Sequence, residues 1–233
     1  MHTALRRGFV AALPVSISVA AYGSVLGVLA AQRGLSWLEL LLMNVFVFAG
    51  SAQFVMVEMW ATPLPIFAAA LAAFVINLRY LLIAASLQPL FAGKSLGHKL
   101  TRIHLVADEN WAVTVAAQRR GQADTTFLLG AGICVMTAWC GGTLLGHALG
   151  ASIEHPEAYA LDFAFVAVFT ALATSLWRGR QDLIPWLVAA GVAVLTEALL
   201  PGKWYILLGG LSGAGAAAFG RGALHPEAEG ERV

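Results

Sequence analysis

The chain has 233 residues, of which 59% are hydrophobic and 12% charged, and its mean hydropathy is +0.77. That is far too apolar for a soluble domain, where about 25% of residues are charged. A formal net charge of +1 gives no reason to expect nucleic acid or any strongly charged partner.

The segment Met1–Arg7 leads into an apolar stretch without a small-residue cleavage site, so residues 9–30 read as a first span and not as a signal peptide. Residues 38–60 form a second apolar run, and about 20 residues suffice to cross a bilayer. Near its centre this run carries Gly50-Ser51 and then Gln53. Backbone freed at such a break survives in a membrane only beside protein or a water-filled cavity. A third run, 64–90, follows a turn marked by Pro63 and Pro65.

Residues 91–126 are polar and hold Lys94, Lys99, Arg102, Asp108, Glu109, Arg119 and Arg120. Within them Ile103–Gln118 has helical character and fits either an interfacial helix or a short extra span. Four more apolar runs follow at 127–149, 159–177, 184–200 and 203–220, with turns at Pro156 and Pro201-Gly202. The charged tail 221–233 reads as disordered. The pattern predicts an all-α integral membrane protein of about seven transmembrane helices, within a range of six to eight, in one domain over 1–220. The basic residues do not orient it by the positive-inside rule, because the seven- and eight-span readings divide them differently.

An offset of 119 residues aligns Gly23-Ser24-Val25-Leu26-Gly27 with Gly142-Thr143-Leu144-Leu145-Gly146, and Phe46-Val47 with Phe165-Val166. It predicts two repeats, 9–90 and 127–200, joined by 91–126 and followed by a final helix, 203–220. With three crossings in each unit the second is inverted, each half carries an interrupted helix, and the site lies where 46–54 meets 165–173. Glycines spaced four apart (Gly23, Gly27; Gly142, Gly146, Gly150) are the mark of close helix packing.

Several polar residues in apolar surroundings need partners. Gly50, Ser51 and Gln53 fit either a helix–helix hydrogen bond or a gap that holds a zwitterion, since helix N-terminal amides favour a carboxylate. Asn77 and Arg79 sit deep in the third run, where an unpaired charge is costly. Arg79 either binds a substrate carboxylate or pairs with Asp108, Glu109 or Asp162. The same three acids are candidates for proton coupling, and Phe46, Phe54 and Phe165 for contact with an apolar substrate side chain. His147 fits a packing role. No nucleotide loop, metal-ligand spacing or nucleophile–base pair is present, so no enzyme activity, metal or cofactor is expected.

Val47-Phe48-Ala49-Gly50-Ser51-Ala52-Gln53-Phe54, Val75-Ile76-Asn77-Leu78-Arg79-Tyr80, Asp108-Glu109, Trp139-Cys140-Gly141-Gly142-Thr143-Leu144-Leu145-Gly146, Leu161-Asp162-Phe163-Ala164 and Leu200-Pro201 occur in this order. Together they resemble the AzlC family, large subunits of branched-chain amino acid exporters, over about 9–215. The resemblance implies efflux of valine, leucine, isoleucine or a similar neutral amino acid from a bacterial cytoplasm across the inner membrane. It also implies drive by the proton motive force and a small AzlD-type membrane subunit as partner. A passive channel and a non-transporting assembly subunit are the rival readings. Three departures stand out: Ala21-Tyr22-Gly23 where relatives often have Pro-Phe-Gly, Val166 where they usually have Pro, and Tyr80 where they often have His.

Overall fold

The computed structural model describes residues 2–152, 170, 174, 177, 179–200 and 204–224, and every regular element among them is helical. Two long helices, α1 (His2–Gln32) and α8 (Thr125–Gly150), form its spine. Asp124 starts α8 by accepting hydrogen bonds from the amides of Thr126 and Phe127 at 2.9 and 2.7 Å, a side-chain N-cap. The two helices touch along their whole length because glycine lets their backbones meet. A Cβ on Gly27 would lie 1.9 Å from the Thr143 carbonyl oxygen, and one on Gly146 1.9 Å from that of Ser24. Gly8 lies against Phe127 and Gly130 against Leu5 at one end, and Gly150 against Val28 at the other. The contacts advance together, so α1 and α8 run parallel. Their starts define an N-terminal face and their ends a C-terminal face.

The segment 38–60 does not cross. α2 (Trp37–Phe46) and α3 (Gly50–Glu58) form a hairpin that enters from the C-terminal face and returns to it. Its feet are joined by an ion pair between Arg33 and Glu58. Near its tip Gln53 Nε2 donates to Asn44 Oδ1 at 2.8 Å, although a straight helix would hold residues nine apart at about 13 Å. The chain turns at Phe48, a non-glycine residue at φ +38°. That left-handed conformation costs roughly 1–2 kcal/mol.

Next, α4 (Ile66–Asn77) and α5 (Arg79–Leu87, continued by a 3₁₀ turn, Gln88–Phe91) form one crossing bent by 40° at Leu78. Val55 and Met59 of α3 pack on Ala69 and Ala72 of α4 towards the C-terminal face. Ile83, Leu87 and Phe91 of α5 pack with Leu128 of α8 towards the N-terminal face.

The polar stretch then makes a second hairpin, entering from the opposite side. α7 (Asp108–Gln118) falls within the helical stretch expected over 103–118, and α6 (Leu96–Ile103) is a further helix ahead of it. His98 near the base of α6 meets Thr125 Oγ1 at 3.0 Å. The tip reaches inward, where His104 Nε2 bonds the carbonyl oxygen of Val45 at 2.7 Å. After α8, α9 (Leu183–Leu199) and α10 (Trp204–Leu224) pack antiparallel through Gly209 on Ala193 and Gly213 on Ala189.

Among the described residues, Thr3–Gln32, Thr125–Gly150 and Arg180–Leu199 are long and apolar enough to cross a membrane, and the bent α4–α5 pair makes a fourth. The two hairpins expose a repeat of a different kind from the expected one. Gly34 and Gly93 both adopt positive φ, +78° and +70°. Two residues on, Ser36 and Ser95 both cap the first hairpin helix, accepting from the amides of Glu39 and His98. A crossing followed by a hairpin thus recurs upside down after 59 residues. The 119-residue offset is close to two such steps, so direction is restored: α1 and α8 are parallel, and α8 is not inverted relative to α1 as the sequence pattern predicted.

Candidate functional site

Three helices break at the same depth: α2/α3 at residues 47–49, α4/α5 at Leu78 and α6/α7 at residues 104–107. The helices that restart there begin at Gly50, Arg79 and Asp108, and all three of these residues line one cavity of about 60 Å³. Val19 and Tyr22 of α1 and Val135 and Trp139 of α8 close it on the spine side. Three helix N-termini, each with the partial positive charge of a helix start, therefore meet at one small space. Ala49 supplies no side-chain cap to α3.

Arg79 is the centre of charge. Its Nη1 pairs with Asp108 Oδ2 at 2.8 Å, and its Nη2 donates to Ser51 Oγ at 2.9 Å. One guanidinium thus ties the α5 start to the starts of α3 and α7. The pair is reachable from the cavity, with 37% of the arginine and 43% of the aspartate side chain exposed. Glu109 and Tyr80 line the same space. The Arg79 guanidinium carbon stands 5.4 Å from the centre of the Tyr80 ring, within cation–π range. The ring of Tyr22 lines the cavity, and its hydroxyl is buried without a hydrogen-bond partner. Asn110 fixes the α7 tip by accepting from the Ala107 amide at 2.6 Å and donating to the Leu105 carbonyl at 2.7 Å.

Beside the cavity lies a buried polar cluster. Trp139 Nε1 donates to Asn44 Oδ1 at 3.1 Å and to Gln53 Oε1 at 3.0 Å, and Asn44 Nδ2 donates to Thr143 Oγ1 at 2.6 Å. Asn44, Gln53 and Thr143 are all fully buried. The cluster locks the α2–α3 tip onto α8.

The structure brings Gly50, Ser51, Arg79, Asp108 and Glu109 together and separates other candidates from them. Gln53 is spent on the cluster and does not line the cavity. Phe54 is fully buried against Tyr22, their ring centres 4.8 Å apart. Phe46 turns outward with 73% of its surface exposed, because it ends α2 on the side away from the spine. Asn77 lies one residue before the break and does not line the cavity. Asp162 and Phe165 lie outside the described residues. Of the two acids among the described residues that were expected as partners for Arg79, Asp108 is the one it meets. Sequence reasoning missed Asn44 and Phe48, and gave Tyr22, Tyr80 and Trp139 no site role. Two departures from the family pattern, Tyr22 and Tyr80, both fall on the cavity wall.

Residues 14–153, which contain both hairpins and every residue lining the cavity, match the family described as AzlC protein. The chain belongs to the AzlC family. Its relatives span nearly their whole lengths with it. A membrane protein of Archaeoglobus fulgidus is 29% identical over 84% of this chain and 85% of its own. Membrane proteins of Helicobacter pylori strains J99 and 26695 are 26% and 23% identical, each over 89% of this chain and 92% of their own. All three are described as uncharacterized. No solved structure matches. The AzlC match and the apolar spans together make this a membrane protein, helical in every regular element among its described residues.

Proposed function

We propose that this AzlC-family protein exports branched-chain or other neutral amino acids across a bacterial inner membrane. In this reading it is the large subunit of a two-component permease with a small AzlD-type partner, driven by the proton motive force. The observation that carries the reading is the convergence of Arg79 and three helix N-termini on one cavity at the depth where the helices break. Such a site suits the carboxylate of a zwitterion, and Glu109 suits its ammonium. Val19 and Val135 supply apolar wall for a branched side chain.

A cavity of about 60 Å³ is well below the roughly 300–1,000 Å³ of small-molecule sites. A whole amino acid therefore enters only as a hairpin tip moves. The α2–α3 tip separates the site from the C-terminal face and the α6–α7 tip from the N-terminal face, so alternating movement of the two gives alternating access. Arg6, Arg7, Lys94, Lys99, Arg119 and Arg120 gather towards the N-terminal face, whereas Arg33 at the other is paired with Glu58. By the positive-inside rule the N-terminal face is cytoplasmic.

Efflux of labelled valine, leucine and methionine from preloaded cells tests the reading, comparing the chain alone, the chain with its small partner, and Arg79→Ala. The expected result is efflux that needs the partner, collapses with an uncoupler and is lost in a well-expressed Arg79→Ala variant. A well-expressed pair that moves none of the three overturns the amino-acid assignment.

A further inference from the structure

We propose that Glu109 is the group at which a proton and the substrate ammonium exclude one another, an inference that rests on the amino-acid export reading above. Arg79 and Asp108 pair at 2.8 Å and cancel. Glu109, on the same cavity wall, adds one further negative charge and has no ion-pair partner among the described residues. A carboxylate in a half-buried cavity is strongly disfavoured unless a cation joins it. A proton and an ammonium are the two cations that the proposed cycle supplies.

Asp108 is poorly placed for this task. It already has a cation, and the alternative edge of that guanidinium is closed, since Arg79 Nε is buried without a partner. Were Asp108 to release Arg79 on protonation, a substrate carboxylate would take its place and proton and substrate would bind together. A proton carried outward with substrate would have to climb its own gradient, so such a site opposes export. Competition at Glu109 has the opposite sign. Substrate arriving from the cytoplasm displaces a proton, and a proton arriving from outside displaces substrate.

Among the described residues, the charged and titratable groups facing Glu109 come from three helices. α5 presents Arg79 and Tyr80, α1 presents Tyr22, and α7 itself presents Asp108. The cavity residues of α3 and α8 (Gly50, Ser51, Val135 and Trp139) do not titrate. His104 at the α6 tip is engaged with the Val45 carbonyl.

The experiment is L-leucine binding to the purified full-length protein, with its small partner where binding needs it, across pH. Proton release is followed with an indicator in weak buffer. The wild type is expected to release up to one proton per leucine bound, and to lose up to about tenfold in affinity for each unit the pH falls below the Glu109 titration. Glu109→Gln is expected to bind several-fold more weakly at high pH and to show no pH dependence. Proton uptake, pH-indifferent binding by the wild type, or a Glu109→Gln profile like the wild type overturns the inference. The wild-type proton count decides the matter even where Glu109→Gln fails to fold. Absence of leucine binding by the wild type at every pH overturns the amino-acid reading itself, which is a distinct result.

Discussion

Trp139 and Gln53, on helices 86 residues apart in sequence, share a buried hydrogen bond of 3.0 Å from indole nitrogen to amide oxygen. Asn44 completes the arrangement by accepting from both side chains. Truncating any one member strands the others, and a buried polar group left unsatisfied costs about 1–3 kcal/mol. Asn44→Ala and Gln53→Ala should therefore each lower thermal stability in detergent. The double variant should cost less than the sum, because the two residues belong to one network. Leucine affinity of the folded fraction should change less than on substitution of Arg79, since neither side chain lines the cavity. A Gln53→Ala protein of wild-type stability that no longer binds leucine would return Gln53 to the substrate site.

The spine makes a sharper stability prediction. A Cβ on Gly27 would lie 1.9 Å from Thr143 O, whereas one on Gly141 meets nothing within 4 Å. The obstacle at Gly27 is backbone, which cannot swing aside, so Gly27→Ala must push α1 away from α8. Such overpacking typically costs about 1–3 kcal/mol. The midpoint of thermal unfolding in detergent should fall for Gly27→Ala and Gly146→Ala and stay near wild type for Gly141→Ala. Equal midpoints for all three would mean that the parallel α1–α8 contact is wrong.

Topology can be read directly by labelling. In a variant lacking Cys134 and Cys140, single cysteines at Trp37 and Ala61 should react with an impermeant thiol reagent from one side of the membrane. Cysteines at Ala92 and Gln122 should react only from the other. A crossing at 38–60 would instead put positions 37 and 61 on opposite sides. The sequence revealed the interruption at Gly50-Ser51 but not the reversal, for a physical reason. Two apolar helices of 10 and 9 residues laid end to end have the length and hydropathy of one span, and nothing local records that the chain turns back. The signs that mattered were non-local: the Arg33–Glu58 pair at the feet and the Asn44–Gln53 bond at the tip. The second hairpin was hidden by its polarity, which resembles that of a loop. In the site, the acids and Arg79 were legible because charge in an apolar context demands a partner. Tyr22 and Trp139 were not, because aromatic residues in an apolar run usually mean core, and only their position around the breaks distinguishes them.

What Arg79 does depends on shape as well as charge. Its two terminal nitrogens reach Asp108 and Ser51 separately, at 2.8 and 2.9 Å, so it bridges the starts of α7 and α3 while itself starting α5. Lysine keeps the positive charge but has a single nitrogen on a flexible stem, and cannot reproduce a planar fork. Arg79→Lys should thus remain folded and membrane-inserted, since Asp108 and Glu109 still have a cation near them. Efflux should fall by at least about tenfold, because holding a carboxylate side by side with Ser51 needs two oriented donors. Arg79→Ala should be worse in a different way: with the cation gone, two acids face each other in the cavity, and stability should suffer as well as transport. Measuring membrane yield, thermal midpoint and leucine efflux for both variants separates the two effects. Wild-type efflux from Arg79→Lys would show that only the charge is used, and that the bond to Ser51 serves packing of the hairpin tip and not the substrate.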